Sequence, residues 1–90
     1  MIGLNLEELS AQEKKKLGLK VGLKVVGPIT GILREETNIC EDFIITAVNG
    51  HPVTNLNEFE ELIEGVEGVM LEGLYPDGTP DHYYTRSLTY

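Results

Sequence analysis

Ninety residues carrying a net charge of −8 form a short acidic chain. It has room for one modest core but not for a deep active site with its supporting shell. Seven basic residues against fifteen acidic ones argue against nucleic acid as a partner. No stretch approaches the roughly 20 apolar residues that a membrane-spanning helix requires.

In chain order, Ile2, Leu4 and Leu6 alternate with Gly3, Asn5 and Glu7, which is the pattern of a strand. Met1-Ile2-Gly3-Leu4 has neither a basic n-region nor an apolar h-region, so no signal peptide is expected there. If the protein is exported, this sequence is a fragment of a longer one. Ser10-Ala11-Gln12-Glu13 reads as a capping box that opens a helix of about two turns. Lys14, Lys15 and Lys16 complement the dipole at its end, and Gly18 stops it. Val21, Leu23 and Val25 alternate with Lys20, Gly22 and Lys24, predicting a second strand that ends at Gly27-Pro28.

Residues 29 to 42 show no clear period. Phe43-Ile44-Ile45-Thr46-Ala47-Val48 is a near-continuous apolar run rich in β-branched residues, the expected central strand. Asn49-Gly50 turns it into a brief extended piece at His51-Pro52-Val53. Asn55 is an N-cap candidate with Glu58 three residues on. Leu56, Phe59, Leu62, Ile63 and Val66 then make an apolar stripe on an acidic helix, which Gly65 and Gly68 end. Val69 to Tyr75 predicts a strand, Pro76-Asp77-Gly78 a turn, and His82 to Leu88 the returning hairpin partner. The sum is an α+β fold of five or six short strands, closing on themselves and capped by two helices.

Five segments of this chain resemble a PDZ domain of the circularly permuted bacterial type. Ile2-Gly3-Leu4-Asn5 is similar to the carboxylate-binding loop that leads into the peptide-pairing strand. Asp42-Phe43-Ile44-Ile45-Thr46-Ala47-Val48-Asn49-Gly50-His51-Pro52-Val53 resembles the family's most specific signature, and Asn55-Leu56-Asn57-Glu58-Phe59 the start of the helix walling the groove. The stretch from Gly68 to Gly78, with Tyr83-Tyr84 and Leu88, looks like the ending of the last PDZ module in HtrA/Do-like serine proteases of Bacteroides-type bacteria. Ser10 to Leu19 looks like the stretch that follows their first strand, so the resemblance covers nearly the whole chain. It departs before the central strand, where the family places a Gly-Asp or Gly-Phe pair and this chain has Glu41-Asp42-Phe43.

The resemblance implies that residues 1–90 are a single non-catalytic PDZ domain, with a small, partly closed antiparallel barrel or sandwich. Its parent would be a periplasmic or secreted serine protease active in protein quality control. The implied partners are extended or C-terminal peptides of unfolded proteins, or neighbouring domains and subunits of that protease. The alternative is an assembly domain whose groove is closed. No cofactor, metal or membrane is implied.

The chemistry of binding can be argued from the residues themselves. A strand edge offers unpaired backbone groups to which an extended peptide adds as a further strand. Ile2, Gly3 and Leu4 would turn N–H groups toward a carboxylate, Leu4, Asn5 and Leu6 would pair with the ligand, and Leu4, Leu6, Phe59 and Ile63 would line an apolar pocket. The same side chains also suit a core: Leu6 and Leu62 read first as core, whereas Phe59 and Ile63 serve either role. The acidic helix disfavours a carboxylate close by.

No serine, histidine and acid recur in a setting that suggests a triad. Ser10 is a cap, Ser87 lies in the last strand, and His51 sits in a turn. Cys40, between Asn38-Ile39 and Glu41-Asp42, lacks the positive surroundings that activate a thiol and is expected to be a buried or half-buried structural residue. Asp77, Asp81 and His82 read as turn and hairpin residues rather than metal ligands.

Overall fold

A computed structural model describes residues 5–27, 29, 34–35 and 37–86 of the chain. Its elements are β1 (Asn5–Glu8), α1 (Ala11–Leu17), β2 (Leu23–Val26), β3 (Ile44–Val48), β4 (His51–Pro52), α2 (Leu56–Ile63), β5 (Val69–Leu74) and β6 (Pro80–Thr85). All strand pairs are antiparallel, in the order β1-β2-β3-β5-β6, with β4 paired to the end of β3. The elements above thus form an α+β fold, a six-stranded antiparallel sheet with the helices α1 and α2. Among the described residues no pairing joins β1 to β6, so the ladder runs between two edges.

Local signals place most of these boundaries. Ser10 Oγ accepts from the Glu13 N–H while the Glu13 carboxylate accepts from the Ser10 N–H, both at 3.2 Å, so the capping box is complete. Gly18, at φ 68, ends α1 in the left-handed conformation. No residue of α1 is buried; the helix is tied to the sheet by an ion pair from Glu13 to Lys24 of β2. That hydrogen bond holds the Glu13 carboxyl below its ordinary range and Lys24 above its own. At the turn after β3, Asn49 and Gly50 both take positive φ, 51 and 82, as a two-residue hairpin connection demands. The Asn49 side chain then clamps the start of β5, donating to Gly68 O at 3.0 Å and accepting from Met70 N–H at 2.8 Å.

β3 is the centre of the sheet. Its Ile44 and Ile45 pair with Lys24 and Leu23 on one side, and with Leu74 and Gly73 on the other. Pairing resumes at Ala47 with Glu72, leaving Thr46 as an extra residue in a bulge. Thr46 is not idle there: its hydroxyl donates to Glu72 O at 3.3 Å and its carbonyl accepts from Val53 N–H at 3.0 Å. Opposite the bulge, Gly73 lets the two backbones meet closely. A Cβ at Gly73 would collide with Ile44 O and lie 2.8 Å from Ile44 C and 3.1 Å from Ile45 Cα.

The core lies between one sheet face and α2. Leu23, Val25, Phe43, Ile45, Val48, Val53, Phe59, Ile63, Val69 and Leu71 are all buried, as is Ile39 from the segment without a clear period. Phe43 sits between two tyrosines, its ring centroid 5.0 Å from that of Tyr75 and 5.0 Å from that of Tyr83. Tyr75 and Tyr83 hydroxyls are 2.5 Å apart, and Tyr83 is 3.1 Å from Asp81 Oδ2. A carboxylate only accepts, so Tyr83 donates to Asp81 and Tyr75 donates to Tyr83. The Tyr75 oxygen accepts in turn from the Cys40 N–H at 3.2 Å. Burial, then the bonds to Tyr75 and Asp81, push the Tyr83 phenol far above its ordinary range.

Two details differ from the sequence expectation. Cys40, expected to be buried or half-buried, is exposed, its thiol donating to Asn38 O at 3.4 Å. The neighbouring Ile39 takes the inward position instead. The last strand begins at Pro80, two residues before His82; its expected end at Leu88 lies outside the described residues.

Candidate functional site

The site predicted from sequence divides into three groups. Ile2, Gly3 and Leu4 lie outside the described residues. Asn5 and Leu6 fall on β1, which among the described residues pairs with β2 alone, in the register Asn5–Val26, Leu6–Val25, Glu7–Lys24 and Glu8–Leu23. An antiparallel strand paired on one side turns alternate residues' N–H and C=O groups outward. Among the described residues β1 is therefore an edge strand, with backbone groups on which another extended chain can pair. Leu6 is half-buried, packed against the core from the sheet's end, while Asn5, Glu7 and Glu8 are exposed.

Phe59 and Ile63 fall on α2, which packs against both β1 and β3. Each is only 1% exposed, so they belong to the core and offer no open pocket wall. The sequence left them between groove and core; burial of this depth, near 2 kcal/mol per side chain, assigns them to the core. The helix residues that keep surface are Leu56, 38% exposed, and the half-buried Leu62. Residues advance about 100° around a helix, which sets Leu56, Glu60 and Glu64 on one flank of the Phe59–Ile63 stripe, and Leu62 with Glu58 on the other. Either flank thus joins one apolar side chain to carboxylate. Leu56 was missed as a groove candidate, although this spacing already separates it from Phe59.

Two residues before the helix fix its start. Asn55 Oδ1 accepts from the Glu58 N–H at 2.8 Å. The Glu58 carboxylate reaches one residue further than a capping box would, accepting from the Thr54 N–H at 2.9 Å and the Thr54 hydroxyl at 3.3 Å. Glu58 is thereby occupied, and it favours the helix N-terminus. Glu60, Glu61 and Glu64 remain exposed, and the last turn has no basic residue.

Elsewhere, His51 and His82 are exposed on β4 and β6, Ser10 is held in its cap, and Ser87 lies outside the described residues. Asp77 and Asp81 accept from the Thr79 and His82 N–H groups. Among the described residues no three His, Cys, Asp or Glu side chains come together as a metal site would need. A shallow depression on the outer sheet face is lined by Thr46, Met70, Glu72, Pro80 and His82. Against known proteins, no family model and no curated sequence matches the chain.

Proposed function

We propose that this chain is a non-catalytic peptide-binding module of the PDZ type, from an HtrA/Do-like serine protease of the periplasm or the secreted fraction. It takes an extended or C-terminal segment of an unfolded protein as an additional strand on β1. The observation that carries this reading is that, among the described residues, β1 is an edge strand paired on one side alone, with α2 packed against it. The backbone before the central strand adds support. Asp42 takes φ 72, the left-handed conformation glycine adopts freely, at the position where the resembled family has the glycine of its Gly-Phe pair.

The test is a titration of the chain with short peptides ending in apolar residues, followed by amide shifts. Shifts confined to residues 5–8 and 55–66 are the expected result. Their absence at about 1 mM peptide, where a Kd at that level corresponds to only ~4 kcal/mol, overturns the reading. An assembly role draws on a different surface, the outer face of the β5–β6 hairpin. There Tyr84 is 57% exposed across the ladder from Met70. A change in sedimentation of the parent protein when this domain is deleted, with no peptide shifts, is the result that favours it.

A further inference from the structure

Asn49 is followed by glycine, whereas Asn5, Asn38, Asn55 and Asn57 precede leucine, isoleucine, leucine and glutamate. A side-chain amide beside glycine is chemically labile, because no Cβ shields the next backbone nitrogen from attacking the asparagine Cγ. Asn49 and Gly50 are both exposed, so water and base reach them. Two features of the fold stand against the reaction. The Asn49 amide is occupied by β5, donating to Gly68 O at 3.0 Å and accepting from the Met70 N–H at 2.8 Å, and the Asn49 N–H donates to Met70 O at 2.9 Å. The turn itself, with φ 51 at Asn49 and 82 at Gly50, has the signs of type I′.

A type I′ turn holds ψ of its first central residue at about +30°, which keeps the following nitrogen away from Cβ. A five-membered succinimide ring instead needs that nitrogen to eclipse Cβ, at ψ of about −120°, the value in a type II′ turn. The two turns differ by a flip of the peptide plane between Asn49 and Gly50. The first residue keeps φ at about +60°, and the second passes to negative φ, which glycine adopts readily. Both turns close a two-residue hairpin, so β3 and β4 stay paired through the flip.

We infer that Asn49 is a site of spontaneous covalent modification, reached when its amide leaves β5 and the turn flips. The Gly50 nitrogen gives up its proton and attacks Asn49 Cγ. A new N–Cγ bond forms, the Cγ–Nδ2 bond breaks, and Nδ2 leaves as ammonia with that proton. Water then opens either carbonyl of the ring, giving aspartate or isoaspartate. Neither product restores the junction. Aspartate still accepts from the Met70 N–H but cannot donate to Gly68 O, and sets oxygen against oxygen there. Isoaspartate adds a methylene to the main chain inside a two-residue turn. The modification therefore weakens the hold of the β3 turn on the start of β5.

The experiment keeps the whole chain in mildly alkaline buffer, folded or in urea, beside a blocked peptide of residues 46–52. Mass spectrometry of the digested samples follows amide loss at each asparagine. The peptide and the unfolded chain should lose the Asn49 amide at similar rates, and the folded chain about 10–100-fold more slowly. Asn5, Asn38, Asn55 and Asn57 should lag behind Asn49 in the unfolded chain. Asn49→Asp should lower the urea midpoint of unfolding by about 1 M or more. A folded chain that reacts as fast as the peptide overturns the protection by β5, and an unfolded chain that keeps its Asn49 amide overturns the site. An Asn49→Asp midpoint within about 0.3 M of the parent overturns the weakening of the junction.

Discussion

Replacing Gly73 with alanine tests the account of the central strand directly. The added Cβ has no free space: it collides with Ile44 O and stands 2.8 Å from Ile44 C and 3.1 Å from Ile45 Cα. All three atoms are backbone, so no side chain can swing aside, and β3 must part from β5 by on the order of 1 Å. The ladder bonds nearest the bulge then weaken, at about 1 kcal/mol each, and the fully buried Ile44, Ile45 and Leu71 lose part of their packing. The sum is about 3–5 kcal/mol, a large share of the ~5–13 kcal/mol expected for a domain of this length. Urea unfolding followed by circular dichroism measures it. With a slope of about 1 kcal/mol/M, the midpoint should fall by roughly 3 M or more. Gly22→Ala is the comparison, because its Cβ meets side-chain atoms, Ile44 Cγ2 at 2.9 Å and Leu9 Cδ1 at 3.0 Å, which can rotate. It should cost about 1–2 kcal/mol. A Gly73→Ala midpoint within about 0.5 M of the parent, at unchanged slope, refutes the close approach of the two backbones.

Two further outcomes follow from the fold. Tyr83→Phe leaves the Tyr75 hydroxyl without its acceptor and should cost about 1–2 kcal/mol, measured by the same urea curves. In the parent, Tyr83 stays protonated in the folded state beyond the ordinary pKa of 10.0, whereas in the unfolded chain it ionises near that value. Its contribution is therefore whole below pH 10 and declines as pH rises above it, and the Phe variant should show a flatter decline in stability over the same range. Asp42→Gly, at φ 72, should raise stability by about 0.5–1 kcal/mol, or ~4 °C in Tm by calorimetry, and a lower Tm speaks against a left-handed backbone at that position.

Residues that act on near neighbours were legible from the sequence. Ser10 with Glu13, Asn49 with Gly50, Asn55 with Glu58, and the alternation through Leu23 and Val25 are all local patterns with local causes. What escaped depends on partners distant in the chain. Thr46 becomes a bulge residue only because β5 lies opposite with Gly73 in register, and no local pattern distinguishes it from its neighbours. Ile39 rather than Cys40 turns inward because the Cys40 N–H is held by the hydroxyl of Tyr75, thirty-five residues away. The candidate site was half legible. The β1 edge followed from alternation at Leu6, but a stripe as wide as Leu56 to Val66 does not say which members sink fully, and the packing of α2 against β1 and β3 chose Phe59 and Ile63.

The two ends of the sheet are not equivalent, and that has a consequence for self-association. β6 begins at Pro80, which has no N–H to donate, and Arg34, Glu35, Thr37 and Asn38 share a depression with its Asp81–Tyr84 stretch. β1 has no proline and, among the described residues, pairs on one side alone. A filament needs two complementary edges on every copy, one to give and one to receive, so that each addition regenerates the growing end. A sheet open at β1 and obstructed at β6 stops after a single addition. Pairing through β1 would thus end at one added strand and would not seed a chain of the domain's own copies.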